Sequence, residues 1–429
     1  MTDEDESAPT VAVVGGGAVG VTAAHDLAAR GADVTLFERG DLAAESSGRA
    51  AGLFYDAYAE DVDAAVGARS LERFRAFDRT LPGFSFAACP YVIAVREGDS
   101  DADAVPAMVE RMRAHGRDVS VVDPDALGER FPTLRTDDLA VAAVAEGAGW
   151  TDPPSYVRAL GGRAAREGVA IETETAVALG PLTDAGRELR VRDAGADGDS
   201  GTETRVFDAV VVAAGAHTRS LLADADVAAP VVPYRVQALV AAERYDGPMV
   251  YDATADAYLR PHPDGLLAGD GTEPVSADPD GYRREADDWF REDVGTVLDE
   301  RLAHGDRGGP DLNDARAWAG LCTATPDGDP LVGPVDAGGT ADRASTGDTA
   351  PTLFVAAGWQ GHGFMRAPAI GETVAEGVLA SLDGVAFDAS ESPWIGAFDP
   401  RRFGSERFDA DEPFEIVEGM SLSNRTDGE

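Results

Sequence analysis

Residues 10 to 38 constrain the possible folds of this chain more tightly than any other stretch. Thr10-Val11-Ala12-Val13-Val14 is a short apolar, β-branched run of the kind buried on both faces of a parallel sheet. It leads into Gly15-Gly16-Gly17-Ala18-Val19-Gly20 and then a helical pattern to Arg30 that closes on Gly31. A second strand pattern, Asp33-Val34-Thr35-Leu36-Phe37, ends at Glu38, 18 positions after the last glycine of the motif. This is a βαβ unit with GxGxxG at its first turn. Gly15 makes the tight turn, Gly17 lets the backbone approach a pyrophosphate, and Gly20 lets the helix pack on the strand. The helix N-terminus offers N–H groups and the positive end of its dipole to phosphates, and Glu38 is placed to accept hydrogen bonds from a ribose diol. The unit predicts a dinucleotide site without deciding between NAD and FAD.

Further along, Tyr91 to Arg96 reads as a strand and Val105 to His115 as a helix. Asp152-Pro153-Pro154 opens a helix by the cap-then-proline rule, with Val157, Leu160 and Ala164 on one face and a stop near Gly168. Val169 to Leu179 and Leu189 to Arg192 read as strands, and Asp193 to Thr204 as a hairpin loop. Phe207 to Val212 is a further buried strand running into Ala213-Ala214-Gly215-Ala216. Tyr234 to Ala241 and Ala257 to Leu259 suggest a second, more antiparallel layer, and Gly338 to Ala350 a loop of small residues. The strand–turn–helix grammar then returns: Thr352 to Ala357, the turn Gly358-Trp359-Gln360-Gly361-His362-Gly363-Phe364-Met365, and a helix from Pro368 with Ile370, Val374, Val378 and Leu382 at i+4 spacing, stopping at Gly384. A nucleotide fold assembled from both ends of a chain, with a second domain between them, suits a flavin enzyme better than a nicotinamide dehydrogenase.

Composition narrows the chemistry. The chain has 78 acidic residues against 36 basic ones, a net charge of −42, and contains no lysine. Such a surface repels nucleic acid and anionic lipid. Schiff-base, pyridoxal-phosphate and P-loop chemistries all need a lysine. At molar salt the Debye length falls to about 3 Å and screens the self-repulsion, so the charge reads as that of a halophilic, haloarchaeal-type cytosolic protein. Cys89 and Cys322 form no CxxC and the six histidines no HxxxH, so neither a disulfide framework nor a metal site is expected. The acidic N-terminus is unlike a signal peptide and no apolar run is long enough to span a bilayer, so a cytoplasmic location without membrane insertion is expected.

From about Val11 to Leu382 the chain resembles the D-amino-acid-oxidase-type FAD-dependent oxidoreductases, which include glycine oxidase, sarcosine oxidase and dehydrogenase, and the proline dehydrogenase β subunit. The resemblance rests on Val11 to Gly20 with Glu38, Glu45-Ser46-Ser47-Gly48-Arg49-Ala50-Ala51-Gly52, Thr175-Ala176-Val177, Val211 to Gly215, Pro233 to Gln237, Tyr258-Leu259-Arg260-Pro261, Trp318 to Gly333 and Gly358 to Met365. It implies an α/β fold: a Rossmann-like FAD-binding domain with an inserted α+β substrate domain containing a mainly antiparallel sheet. Residues 8–85, 141–228 and 326–385 are expected in the former, 86–140 and 229–325 in the latter, and 386–429 as an acidic tail.

The same resemblance assigns roles. FAD is expected to lie with its pyrophosphate at Gly15, Gly17, Ala18, Val19 and Gly20, its ribose at Glu38 with Arg39, and its adenine beside Val177. Ser46, Ser47, Gly48, Arg49 and Ala50 line its middle, Ala214, Gly215, Gly333 and Gly358 allow close approach, and Gly361, His362, Gly363, Phe364 and Met365 face the flavin. The implied reaction is hydride transfer to flavin N5 from a carbon beside nitrogen. Where glycine oxidase and D-amino-acid oxidases carry Arg-Pro to clamp the substrate carboxylate, this chain has Cys322-Thr323, which moves the expectation to sarcosine, dimethylglycine and related N-alkyl amino acids. Arg260 is the first choice for the carboxylate and Arg235 the second, with Tyr258 closing the pocket and His362 the functional histidine. Cys322 is expected as a small buried hydrophobe, not at the flavin-linked position, which falls near Gly320, so the FAD is expected to be non-covalent. Oxygen, a quinone or an electron-transfer flavoprotein remain open as electron acceptor, and the absent lysine tilts toward a dehydrogenase. A 2-hydroxy-acid or glycerol-phosphate-type flavin dehydrogenase, or an FAD-binding subunit without chemistry of its own, are the alternatives.

Overall fold

The computed structural model describes residues 7–196, 201–269, 271–304, 309–335, 352–385, 394–403 and 416. Its organising layer is a six-stranded sheet in the order Leu331–Pro334, Thr352–Ala357, Ala209–Val212, Thr10–Val14, Asp33–Phe37, Ala170–Glu172. All neighbours are parallel except the first pair. The apolar runs predicted for a doubly covered sheet behave as such. Val11 and Val13 enter the core under the helices, while Ala12 and Val14, pointing the other way, enter a core closed by the antiparallel ribbon Thr175–Thr183, Gly186–Asp193, Glu203–Phe207.

On the helical face, Ala18–Ala29 lies against Gly363–Leu382 and Pro153–Arg166, and Asp61–Thr80 covers the same last helix. A second, nine-stranded sheet runs Glu273–Ser276, Val232–Ala241, Gly265–Gly269, Ala257–His262, Met249–Asp252, Tyr91–Arg96, Leu139–Ala145, Val119–Val122, with Arg316–Ala324 also paired to Val232–Ala241. Its pairs are antiparallel apart from Met249–Asp252 beside Tyr91–Arg96. Arg301, fully buried behind this sheet, is neutralised by Asp252 at 2.8 Å and Asp138 at 2.9 Å. Among the described residues no helix is long and apolar enough to cross a membrane.

Several expectations are corrected. A domain boundary at 140/141 falls inside the strand Leu139–Ala145, which belongs wholly to the nine-stranded sheet. The run Phe207 to Val212 is two strands in different sheets, broken at Asp208, whose carboxylate accepts from the Thr10 N–H and hydroxyl at 2.7 Å. Val169 to Leu179 is likewise broken, at Glu174 with φ +53°. The last helix begins at Gly363, so Pro368 lies inside it. There the carbonyl of Pro368 accepts from Arg73 at 2.6 Å, and Ser70 donates to the Arg366 carbonyl at 3.1 Å, side chains of a neighbouring helix that brace the turn where proline lacks a donor. The expected tail contains a helix, Trp394–Phe398, whose Trp394, Ile395 and Phe398 enter the main core. The expected loop Gly338–Ala350 lies outside the described residues.

The seam between the first and last helices is set by small residues. A Cβ at Gly371 would stand 2.5 Å from Thr22 Cβ and 2.9 Å from the Ala23 backbone nitrogen. Gly371→Ala is therefore expected to cost about 1–3 kcal/mol through overpacking, read as a lower denaturation midpoint.

Candidate active site

A cavity of about 600 Å³ lies between the glycine turn of the six-stranded sheet and the inner wall of the nine-stranded sheet. At one end it is lined by Gly15, Gly17, Ala18 and Val19, where the first strand passes into its helix, and by Glu38 and Arg39 at the end of the second strand. Each oxygen of the Glu38 carboxylate accepts a backbone N–H, from Gly16 at 2.6 Å and Gly40 at 2.8 Å, which holds the carboxylate rigidly beside the turn. Ala18 N–H donates to the Ser47 hydroxyl at 3.0 Å, tying the helix start to the short helix Ser46–Arg49. A Cβ at Gly17 would stand 3.1 Å from Ser47 Oγ, a tight contact at this junction.

The middle is lined by Ser46, Ser47, Arg49, Ala50, Val177, Ala214 and Gly215, and the far end by Gly361, His362, Gly363, Phe364 and Met365 at the start of the last helix. Of the positions expected around a cofactor, Gly20, Gly48, Gly333 and Gly358 do not line the cavity. They shape its walls instead. A Cβ at Gly20 would collide with the Gly15 carbonyl, and one at Gly48 with the Ala43 carbonyl. Gly333 at φ +144° and Gly358 at φ +80° adopt backbone conformations open chiefly to glycine.

The arginines expected to grip a substrate are elsewhere. Arg235 is buried beneath the cavity floor and paired with Glu273 and with Asp287 at 2.5 Å. Its Nε donates to the Arg283 carbonyl at 2.9 Å and its Nη2 to the Glu285 carbonyl at 2.5 Å. Every face of the guanidinium is thus occupied, and what it holds is the segment 277–287, a strap whose Pro279 and Asp280 line the cavity mouth. The strap is clasped across the cavity: Asp280 meets Arg39 at 2.9 Å and His217 at 3.1 Å, and Arg284 meets Glu45 at 2.8 Å. The hydrogen bond from His217 holds Asp280 below its ordinary carboxylate range against the opposing effect of burial, and Arg39 adds to the lowering.

Arg260 is also absent from the lining. It is 2% exposed, donates to the Ala51 and Pro261 carbonyls at 2.6 Å, and stacks its guanidinium 4.8 Å from the Trp150 ring. It makes no ion pair among the described residues, and burial pulls its pKa down to about 10. Its charge stands one layer behind Ala51, which does line the cavity. Tyr258 does line it, and Cys322 is half-buried in the same wall, not sealed in the core as expected.

Sequence reasoning missed the aromatic character of the far end. Tyr55, Tyr91 and Tyr251 join Tyr258 and His362 there. Tyr55 stacks on Tyr91 at 4.8 Å and meets His362 Nε2 at 3.1 Å. Burial raises the Tyr55 hydroxyl well above its usual pKa and pushes that of Tyr58, behind it, up to about 12. Tyr55 and Tyr58 follow directly on the Ser46–Arg49 segment, so proximity in sequence was the available signal. Tyr91 and Tyr251 come from neighbouring strands whose pairing no local pattern shows.

With this geometry in view, the match of residues 10–377 to the family described as FAD dependent oxidoreductase is decisive. The chain belongs to the FAD-dependent oxidoreductases. It is 26% identical to glycine oxidase of Geobacillus kaustophilus, over 88% of this chain and 94% of that enzyme. It is 27% identical to mitochondrial dimethylglycine dehydrogenase of Rattus norvegicus over 60% of this chain, and spans only 30% of that protein's length. The fold matches L-proline dehydrogenase from P. horikoshii with a TM-score of 0.76 at 24% identity, covering 92% of this chain and 98% of that one. The cavity fits FAD on its own terms, with a glycine cradle at a helix start, a fixed carboxylate 18 residues beyond Gly20, and a second helix start at the far end.

Releasing the strap is expected to release the cofactor. Arg235→Met and Asp280→Asn should each speed FAD dissociation, roughly tenfold for the loss of about 1.4 kcal/mol, read by recovery of free-flavin fluorescence after dilution. Because the pKa of Asp280 is lowered, its part of the clasp is present above the ordinary carboxylate range and is lost as pH falls through the lowered value.

Proposed function

We propose that this FAD-dependent oxidoreductase oxidises the C–N bond of a small N-alkyl amino acid or related amine, of the sarcosine or dimethylglycine type. The observation that carries the reading is the far end of the cavity: Tyr55, Tyr91, Tyr251 and Tyr258 surround it, and the facing strand presents Cys322 and Thr323 instead of an arginine. Tyrosine rings favour an ammonium bearing alkyl groups, because the ring faces attract the positive charge and the methyl groups bury apolar surface. The family, and the activities for which the dimethylglycine and glycine enzymes it resembles are named, support the same class.

In this reading Gly15, Gly17, Ala18 and Val19 hold the pyrophosphate of FAD, Glu38 the ribose, Val177 the adenine side, and Ser46, Ser47 and Arg49 the middle. The bound flavin supplies the acceptor for the hydride that leaves the carbon beside the substrate nitrogen. The protein contributes position and electrostatics. The N-terminus of the helix Gly363–Leu382 places its positive dipole end against the cavity, where negative charge accumulates on reduction. The charge of Arg260, which meets no carboxylate among the described residues, acts on a substrate carboxylate through the Ala51 layer as a field, not as a direct clamp. The nine-stranded sheet walls the reacting end of the cavity with Tyr91, Tyr251 and Tyr258.

The test is anaerobic. Protein purified in molar KCl and loaded with FAD is mixed with sarcosine, dimethylglycine, proline, D-alanine, glycine and 2-hydroxyglutarate. N-alkyl amines are expected to bleach the flavin absorbance fastest; bleaching by the hydroxy acid alone would overturn the amine reading. Arg260→Met should raise the KM for sarcosine by less than about tenfold, since a charge one layer back is worth less than a bidentate contact.

A further inference from the structure

One row of positions crosses five strands of the nine-stranded sheet where that sheet walls the cavity. Tyr251 pairs with Tyr258, Tyr258 with Gly269, Gly269 with Ala238, and Ala238 with Trp318, so all of them share one face. That face is the cavity side, because Tyr251, Tyr258, Ala238 and Trp318 line the cavity. Gly269, in the middle of the row, does not, and its neighbour accounts for this. A Cβ at Gly269 would collide with the Tyr258 hydroxyl and stand 2.5 Å from its Cζ and 3.0 Å from its Cε2. The Tyr258 ring is therefore laid over the glycine, its hydroxyl reaching across the strand spacing of about 4.8 Å. A strand side chain ordinarily stands roughly perpendicular to its sheet, and it lies down across a neighbour only where that neighbour has no side chain of its own.

The large rings elsewhere in the row are tied at their polar tips. The Tyr251 hydroxyl donates to Asp256 at 2.6 Å, and Trp318 Nε1 donates to the Arg49 carbonyl at 3.0 Å. Tyr258 lies between them, and its pose depends on Gly269. We propose that Gly269 is a positioning residue that sets the size of the nitrogen substituents the cavity takes, by letting Tyr258 lie flat as the floor beneath the alkylated nitrogen. The proposal rests on the amine reading above. A flat ring turns its negative face to the cavity, the geometry that attracts a substituted ammonium, and leaves the height above it to the alkyl groups. A ring lifted by a methyl group beneath it presents its edge, loses that attraction and fills the same height. Beyond the ring the floor stays low, since Ala238 continues the row to Trp318. One methylene more or less in an apolar pocket changes discrimination roughly 10- to 200-fold, so a single Cβ under the ring is enough to change which amines are taken.

The test compares FAD-loaded wild type with Gly269→Ala, Tyr258→Ala and the double variant. Anaerobic flavin reduction is followed with sarcosine, N-ethylglycine and N-propylglycine, and the quantity read is the second-order rate for each larger amine relative to sarcosine. Gly269→Ala is expected to lower that ratio roughly tenfold or more for N-propylglycine, and Tyr258→Ala to raise it. With the ring removed the added methyl group has nothing to lift, so the double variant is expected to match Tyr258→Ala within about twofold. A glycine needed only for folding would lower all rates together and leave the ratio in place. Binding without turnover gives a second readout, the perturbation of flavin absorbance by tetramethylammonium and tetraethylammonium. Gly269→Ala should weaken the larger ion more than the smaller, and Tyr258→Ala the smaller more than the larger. If Gly269→Ala fails to fold, Tyr258→Ala decides alone. A size ratio unmoved by Tyr258→Ala, or an effect of Gly269→Ala that persists in the double variant, would overturn the proposal. If no amine bleaches the wild-type flavin while the two cations sort the variants as stated, the substrate reading has failed and the role of Gly269 stands.

Discussion

The close approach of the first helix to its own entry turn is the contact on which the rest of the structure depends. Gly20 packs directly on the Gly15 carbonyl, and Gly15 at φ +116° turns the chain beneath the helix start. That packing sets the helix Ala18–Ala29 close over the central strand. It lets the last helix meet the first through Gly371, and it brings Gly363, at the start of that last helix, to the same cavity as Gly17. Two helix N-termini separated by most of the chain therefore face one volume, and an extended anionic cofactor is the ligand that uses both.

Charge is distributed in a way that follows from having arginine as the only fixed cation. Arg301, Arg366, Arg73 and Arg235 are all largely buried, and each is met by at least one carboxylate within 2.9 Å. A planar guanidinium with five donors can satisfy two carboxylates or carbonyls at once, which is what burial demands and what a lysine could not do as well. Arg260 departs from this pattern. It is buried against Trp150 and two carbonyls, with no carboxylate paired to it among the described residues, and its lowered pKa records the cost. A buried cation beside a cavity, without an ion-pair partner among the described residues, is a source of positive potential there, in a protein of strongly negative net charge.

The inserted sheet does more than wall off the cavity. Through Arg235 it holds the strap 277–287, and through the strap it reaches back to Arg39, His217 and Glu45 on the dinucleotide-binding layer. The two layers are joined over the cavity by side-chain contacts as well as by the chain crossings between them.

The βαβ unit, the second strand–turn–helix and the existence of a separate antiparallel layer were legible in the sequence, because each is written in local terms: short apolar β-branched runs, glycine at the tight turns, apolar spacing of a helix. Glu38 was legible for the same reason, since it lies 18 residues beyond Gly20, whereas Ser47 and Val177 came only from the family resemblance. The breaks at Asp208 and Glu174 were not, because they depend on which sheet each neighbouring strand joins. Nor was the fate of the arginines. In the sequence Arg235 and Arg260 look alike, each next to a strand tyrosine or proline in the inserted layer. Whether a guanidinium points into a cavity or is caught beneath it depends on carboxylates and carbonyls up to some 209 positions away, as with Arg260 and Ala51. The sequence by itself determined the cofactor-binding framework, whose physics is that of adjacent residues. Only the tertiary structure decided which side chains meet in the cavity, because that is settled by strand pairing between distant segments.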